Sequence, residues 1–146
     1  MSLITKSIEI LASRDQVWSY LDPSKWTEIF TFGKDVNVQT NGPSGVETTA
    51  IFEPDPNNDL WVKYNIKITE FVIGEKIAYQ RYGGPLAGHG LISIHSLQTG
   101  TLFRRKGSYN DNLSNETIKM LSGGMENDNR RLKNMIETET NQQFDS

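Results

Sequence analysis

Two hydrophobic periods divide the chain. From the start, "ITKSIEIL" alternates around Ile4, Ile8 and Ile10, which predicts a half-buried strand. "ASRDQVWSYL" then shifts to helical spacing with Val17, Trp18 and Leu21. Ser13 is the expected N-cap, with Gln16 completing a capping box. "DPSKWTEIF" predicts a second short helix, entered at Pro23 and with Trp26, Ile29 and Phe30 on its apolar face. From there to Tyr109 the period is two. "KDVNVQT", "VETTAIFEP", "LWVKYNIKITEF", "IAYQRY", "LISIHSL" and "TLFRRKGSYN" read as strands, joined at "NGPSG", "DPNND", "VIGEK", "GGPLAG" and "QTG". The last helical pattern opens with Ser114 as cap and Thr117 in its first turn. It is expected to reach about Thr140, leaving "NQQFDS" as a frayed tail. An antiparallel meander against one long C-terminal helix makes an α+β domain.

Composition narrows the chemistry. The chain has 146 residues, which fits one domain over 1–146. It has no cysteine, so it has no disulfide, thiol nucleophile or thiolate metal site. Net charge is −3, and no basic tract exceeds Arg104-Arg105-Lys106, which argues against a nucleic-acid face. No apolar run approaches a membrane span, and the first residues lack signal-peptide character. A cytoplasmic protein without an integral membrane segment is expected, as monomer or homodimer, with no cofactor.

Three stretches resemble the START/Bet v 1-like helix-grip superfamily (SRPBCC), in its polyketide cyclase/dehydrase and lipid-transport group. They are "SIEILASRDQVWSYLDPSKW", "GPLAGHGLISIHSLQTGTLFRRKGSY" and "GGMENDNRRLKNMIE". The resemblance covers nearly the whole chain. It implies a curved seven-stranded antiparallel sheet wrapped around the long helix, with two short helices after the first strand and a hydrophobic cavity between sheet and helix. Members bind lipids, sterols or polyketides, a minority are cyclases or dehydratases, and some bind proteins. The group shares no catalytic motif, so no catalytic residue is carried over.

The candidate site residues follow from face and register. On the last helix Ile118, Leu121, Met125, Leu132 and Ile136 form one stripe, interrupted by Asp128 and Asn129. Gly124 borders that stripe and Gly123 points away. Gly124, Met125 and Asp128 are therefore candidates for a cavity wall; close helix packing at Gly124 and a solvent-facing Asp128 are the structural alternative. His89 and His95 share one strand face. They stand about 20 Å apart, too far to share a metal, and either suits general acid–base work or a plain surface position. Phe103, Arg105, Gly107 and Tyr109 share a face of the final strand. An inward Arg105 would bind a carboxylate, phenolate or enolate, with Asp128 as its ion-pair partner; otherwise its stem covers the sheet. Tyr64, Tyr79, Phe103 and Trp61 are aromatic lining candidates or core.

Three functions fit. The first is binding of a hydrophobic or amphipathic small molecule (lipid, polyketide or aromatic metabolite). The second is a cyclase or dehydratase using cavity Arg, His and Asp, and the third a protein-binding module with a filled interior.

Overall fold

The structure, a computed structural model, describes residues 2–26, 33–39, 45–54, 64–83 and 86–144, with the backbone alone at Ser24, 33–39, Ala50, 52–54, Tyr64 and 140–144. The alternating stretches form strands β1 (Ser2–Ile10), β2 (Gly33–Gln39), β3 (Thr49–Pro54), β4 (Tyr64–Val72), β5 (Lys76–Tyr82), β6 (Gly88–Leu97) and β7 (Gly100–Tyr109). They make one sheet in the order β1-β7-β6-β5-β4-β3-β2, and every pairing is antiparallel. The chain reaches the opposite edge of the sheet between β1 and β2, and returns by hairpins.

Helix α1 (Arg14–Trp18) starts where the sequence places it. Ser13 Oγ accepts from Gln16 N–H, and the Gln16 side chain accepts from Ser13 N–H. Pro23–Lys25 is a single 3₁₀ turn, and the rest of the expected second helix, with Ile29 and Phe30, lies outside the described residues. Val46 and Glu47 form a turn rather than strand. Glu47 has φ of 76°, so β3 begins only at Thr49. The turns at "NGPSG" and "DPNND" also fall largely outside the described residues.

Helix α2 (Asn115–Phe144) runs through both glycines without a break and past Thr140, so its helical backbone takes in four of the six expected tail residues. Ser114 caps it: its Oγ accepts from Thr117 N–H at 3.1 Å. The helix lies along β1 and is clasped to it at three levels. Lys6 Nζ meets Glu126 Oε1 at 2.7 Å. Lys133 Nζ donates to Glu9 C=O at 2.8 Å. Leu11 N–H donates to Glu137 Oε1 at 2.9 Å.

Two apolar clusters lie between sheet and helix. The larger joins Ile10, Val17, Leu21, Trp26, Ile66, Ile68, Ile77, Tyr79, Ile92, Ile94 and Phe103 to Leu132 and Ile136. The smaller joins Ile4, Leu86 and Tyr109 to Leu121 and Met125. Trp26 is buried, and its indole N–H donates to Leu21 C=O at 2.9 Å, which satisfies its one polar atom. Trp18 packs edge-on against Phe71, with centroids 5.6 Å apart.

Candidate functional site

Along α2 the two clusters meet at Asp128 and Asn129, both 2% exposed. Asp128 stands one turn from Met125 on one side and from Leu132 on the other, so apolar packing stops on both sides of it.

Opposite Asp128 stands Arg105. Alternation in β7 turns Thr101, Phe103, Arg105, Gly107 and Tyr109 to the buried face. Arg105 is 4% exposed, and its Nη1 lies 3.2 Å from Asp128 Oδ2. Two ions taken out of water in this way require each other: their mutual attraction offsets a desolvation cost of several kcal/mol per ion.

A second arginine joins them. Ile77, Tyr79 and Arg81 share the buried face of β5. Arg81 is 6% exposed and spends its donors on main-chain carbonyls: Nε on Leu86 at 2.9 Å, Nη2 on His89 at 3.1 Å and on Ser108 at 2.9 Å. These bonds satisfy Nε and Nη2 without neutralising the charge. Its guanidinium carbon lies 4.4 Å from the Tyr109 ring centroid and 5.9 Å from that of Tyr79, a cation–π arrangement. Burial raises the Tyr109 phenol pKa. The Arg81 charge opposes that shift, Tyr79 adds to it, and Arg105 opposes it; the net displacement is upward.

Glycines make room for the rings. Tyr79, Gly90, Gly107 and Ile4 form one row across the sheet. The Tyr79 ring lies on Gly90, where any Cβ would collide with Cζ, Cε2 and the hydroxyl. A Cβ on Gly107 would lie 2.9 Å from the Tyr109 hydroxyl and 3.2 Å from Met125 Cε.

Of the sequence candidates, the interior brings together Tyr79, Phe103, Arg105, Met125 and Asp128. Gly124 is half-buried one turn before Asp128, and Gly123 points into open space, since a Cβ there meets nothing within 4 Å. The side chain of Tyr64, and all of Trp61, lie outside the described residues. The histidines are a correction: His89 and His95 are both exposed. Gly90, Ile92 and Ile94 take the buried face of β6, and alternation puts both imidazoles on the other. His95 instead borders a cleft of about 530 Å³ with Arg14 and Lys76, where α1 approaches the β4–β5 turn. A neighbouring cleft of about 470 Å³ is lined by Leu11, Leu97 and Gly100.

Face and register do not single out Arg81, Tyr109, Asn129 or Arg131 as site candidates. The signal for Arg81 lies in "IAYQRY", where it holds the register of Ile77 and Tyr79. Arg131 is half-buried, one turn after Asp128. Among the described residues no group of three His, Cys, Asp or Glu side chains could hold a metal ion. Nor is any described helix long and apolar enough to cross a membrane.

No protein-family model matches the chain, and no curated protein is significantly similar in sequence. Solved structures do match. The Aha1 dimer from Colwellia psychrerythraea is similar at TM-score 0.73 and 17% identity, over 94% of this chain and 97% of that one. The di-domain ARO/CYC StfQ from the steffimycin biosynthetic pathway is similar at TM-score 0.76 and 13% identity, over 95% of this chain. DynU16, a protein in the dynemicin biosynthetic locus, is similar at TM-score 0.73 and 13% identity, over 94% of this chain. The chain spans about half the length of each of the last two, 51% and 48%. At these identities the likeness establishes the fold: an α+β protein of helix-grip type.

Proposed function

We propose that the protein binds a hydrophobic or amphipathic small molecule between the sheet and α2, with the Arg105–Asp128 layer orienting its polar part. The observation that carries this reading is that charged layer on the helix-facing side of the sheet, between two apolar clusters. A core built only for stability gains little from it, because apolar residues of like volume often serve as well or better. A ligand site needs both halves: apolar walls for affinity and a few placed polar groups for orientation. Gly124 lowers the helix wall beside that layer.

The test is native mass spectrometry of the protein after mild extraction from the cell that makes it. The expected result is a co-purified small molecule released on activation. A bare protein mass, together with no change in melting temperature across a panel of lipids and aromatic metabolites, contradicts the reading; a ligand at 100 times its Kd stabilises by about 2.7 kcal/mol. Gly124→Leu is expected to weaken ligand binding more than it lowers stability. A severe stability loss with unchanged binding would mark Gly124 as a packing glycine instead.

A cyclase or dehydratase is the second reading. It draws on the likeness to the ARO/CYC structure and on Arg105, a fixed cation able to stabilise an enolate. With both histidines on the outer face, Asp128, Tyr79 and Tyr109 are the groups left to move protons among the described residues. Turnover separates the two readings: an enzyme converts a polyketide-like substrate and loses that turnover in Asp128→Asn, whereas a binding protein converts none.

A further inference from the structure

The interior is unevenly charged. Among the described residues the buried charged side chains are Arg81, Arg105 and Asp128, two guanidiniums to one carboxylate. Arg131 adds a third cation to the same region. Its Nε and Nη2 are sealed from solvent and have no hydrogen-bond partner among the described residues. At the same level of α2, Asn129 is 2% exposed and its Oδ1 has no hydrogen-bond donor among the described residues. Buried polar atoms are nearly always partnered, and sealed guanidinium N–H groups are among the costliest to leave unmet.

The clasp to β1 fixes which way Arg131 faces. Glu126 and Lys133 engage β1, and Glu137 engages Leu11 just after it. At about 100° per residue, Gly124, Asp128 and Arg131 lie on the other flank of the helix. That flank carries the half-buried Gly124 and the Asp128 that reaches Arg105. The sealed nitrogens of Arg131 therefore stand beside the low point of the helix wall, next to the polar layer.

We propose that the ligand is an amphipathic carboxylate whose acid group sits on Arg131, with its apolar part against the clusters beneath. The inference rests on the binding reading above and adds the ligand's charge. A planar guanidinium offering two parallel N–H donors matches a carboxylate in charge and shape. The carboxylate also adds a negative charge to a region whose buried charged groups, among the described residues, are two guanidiniums and one carboxylate.

The test is a fluorescence titration of the intact protein with dansyl-undecanoic acid and with its methyl ester, which differ only at the acid group. The acid is expected to bind about tenfold or more tightly than the ester. Arg131→Met is expected to abolish that preference by weakening the acid alone, and Arg131→Lys to restore part of it. Arg131→Gln, read the same way, serves if the methionine variant does not fold. Equal affinity for acid and ester, or a preference that survives loss of Arg131, overturns the carboxylate seat and leaves the binding reading standing. Failure of both probes to bind overturns the two together.

Discussion

Arg105 and Asp128 give the residue scale its sharpest expectation. Asp128→Ala strands a buried guanidinium, so it should destabilise by about 3–5 kcal/mol in urea denaturation. The double variant Arg105→Met, Asp128→Leu removes both charges and should recover most of that loss; a double variant as unstable as the single would show that the pair is not coupled. Gly90→Ala should cost roughly 1–3 kcal/mol by thermal denaturation, because the added methyl displaces the Tyr79 ring. An unchanged melting temperature would mean the ring moves freely. The sequence puts Arg105 in register with Phe103, Gly107 and Tyr109 but leaves open whether that face turns inward. The face of β6 is not legible there either. Its outward set, His89, Leu91, Ser93, His95 and Leu97, holds two leucines, while its inward set begins with glycines whose missing side chains accommodate a neighbour's ring. Hydrophobicity alone therefore failed to orient the strand, and the histidines went with it. Arg81 was missed because an arginine near a strand end looks like surface, and the main-chain carbonyls that accept its donors come from β6, β7 and the loop before β6.

At the scale of elements, the caps follow from local rules alone. Ser13 with Gln16, and Ser114 with Thr117, are three-residue spacings that a sequence shows directly. Ser114→Ala should cost about 1 kcal/mol in urea denaturation; no loss would mean the first turn of α2 is held by packing. The length of α2 was underestimated because "NQQF" carries no apolar stripe, and propensity still continues the helix through Phe144. The clasp between α2 and β1 joins residues far apart in sequence and no local pattern announces it. It has a signature in acid. Burial raises the Glu137 pKa, but the Lys133 hydrogen bond, the Leu11 N–H and the Lys133 charge outweigh it, and the net shift is downward. Glu126 is lowered by its hydrogen bond to Lys6 and by the Lys6 charge. A carboxylate with a depressed folded pKa contributes stability above its unfolded pKa, roughly 4.3. That contribution is lost as pH falls through the folded value. Stability should therefore decline below about pH 4, and Glu137→Gln should flatten that decline in a urea series across pH. An acid limb identical in the variant would remove Glu137 from the clasp.

Across the whole molecule, the antiparallel sheet with a long C-terminal helix is legible because the hydrophobic period, two in the first strand, turns helical, returns to two as far as Tyr109 and turns helical again. The polar layer was legible in part. Asp128 and Asn129 break the helix stripe in plain view, but Arg81 reaches that interior only through strand pairing. The binding proposal places a small molecule between sheet and α2, against this layer. Backbone amide NMR of the isotopically labelled protein, titrated with dansyl-undecanoic acid, tests it most directly. The expected shifts concentrate at Tyr79, Arg81, Gly90 and Gly107 on the sheet and from Gly124 to Arg131 on α2. Shifts confined instead to Arg14, Lys76 and His95, or to Leu11 and Leu97 in the neighbouring cleft, would place the ligand outside the helix grip and contradict the account.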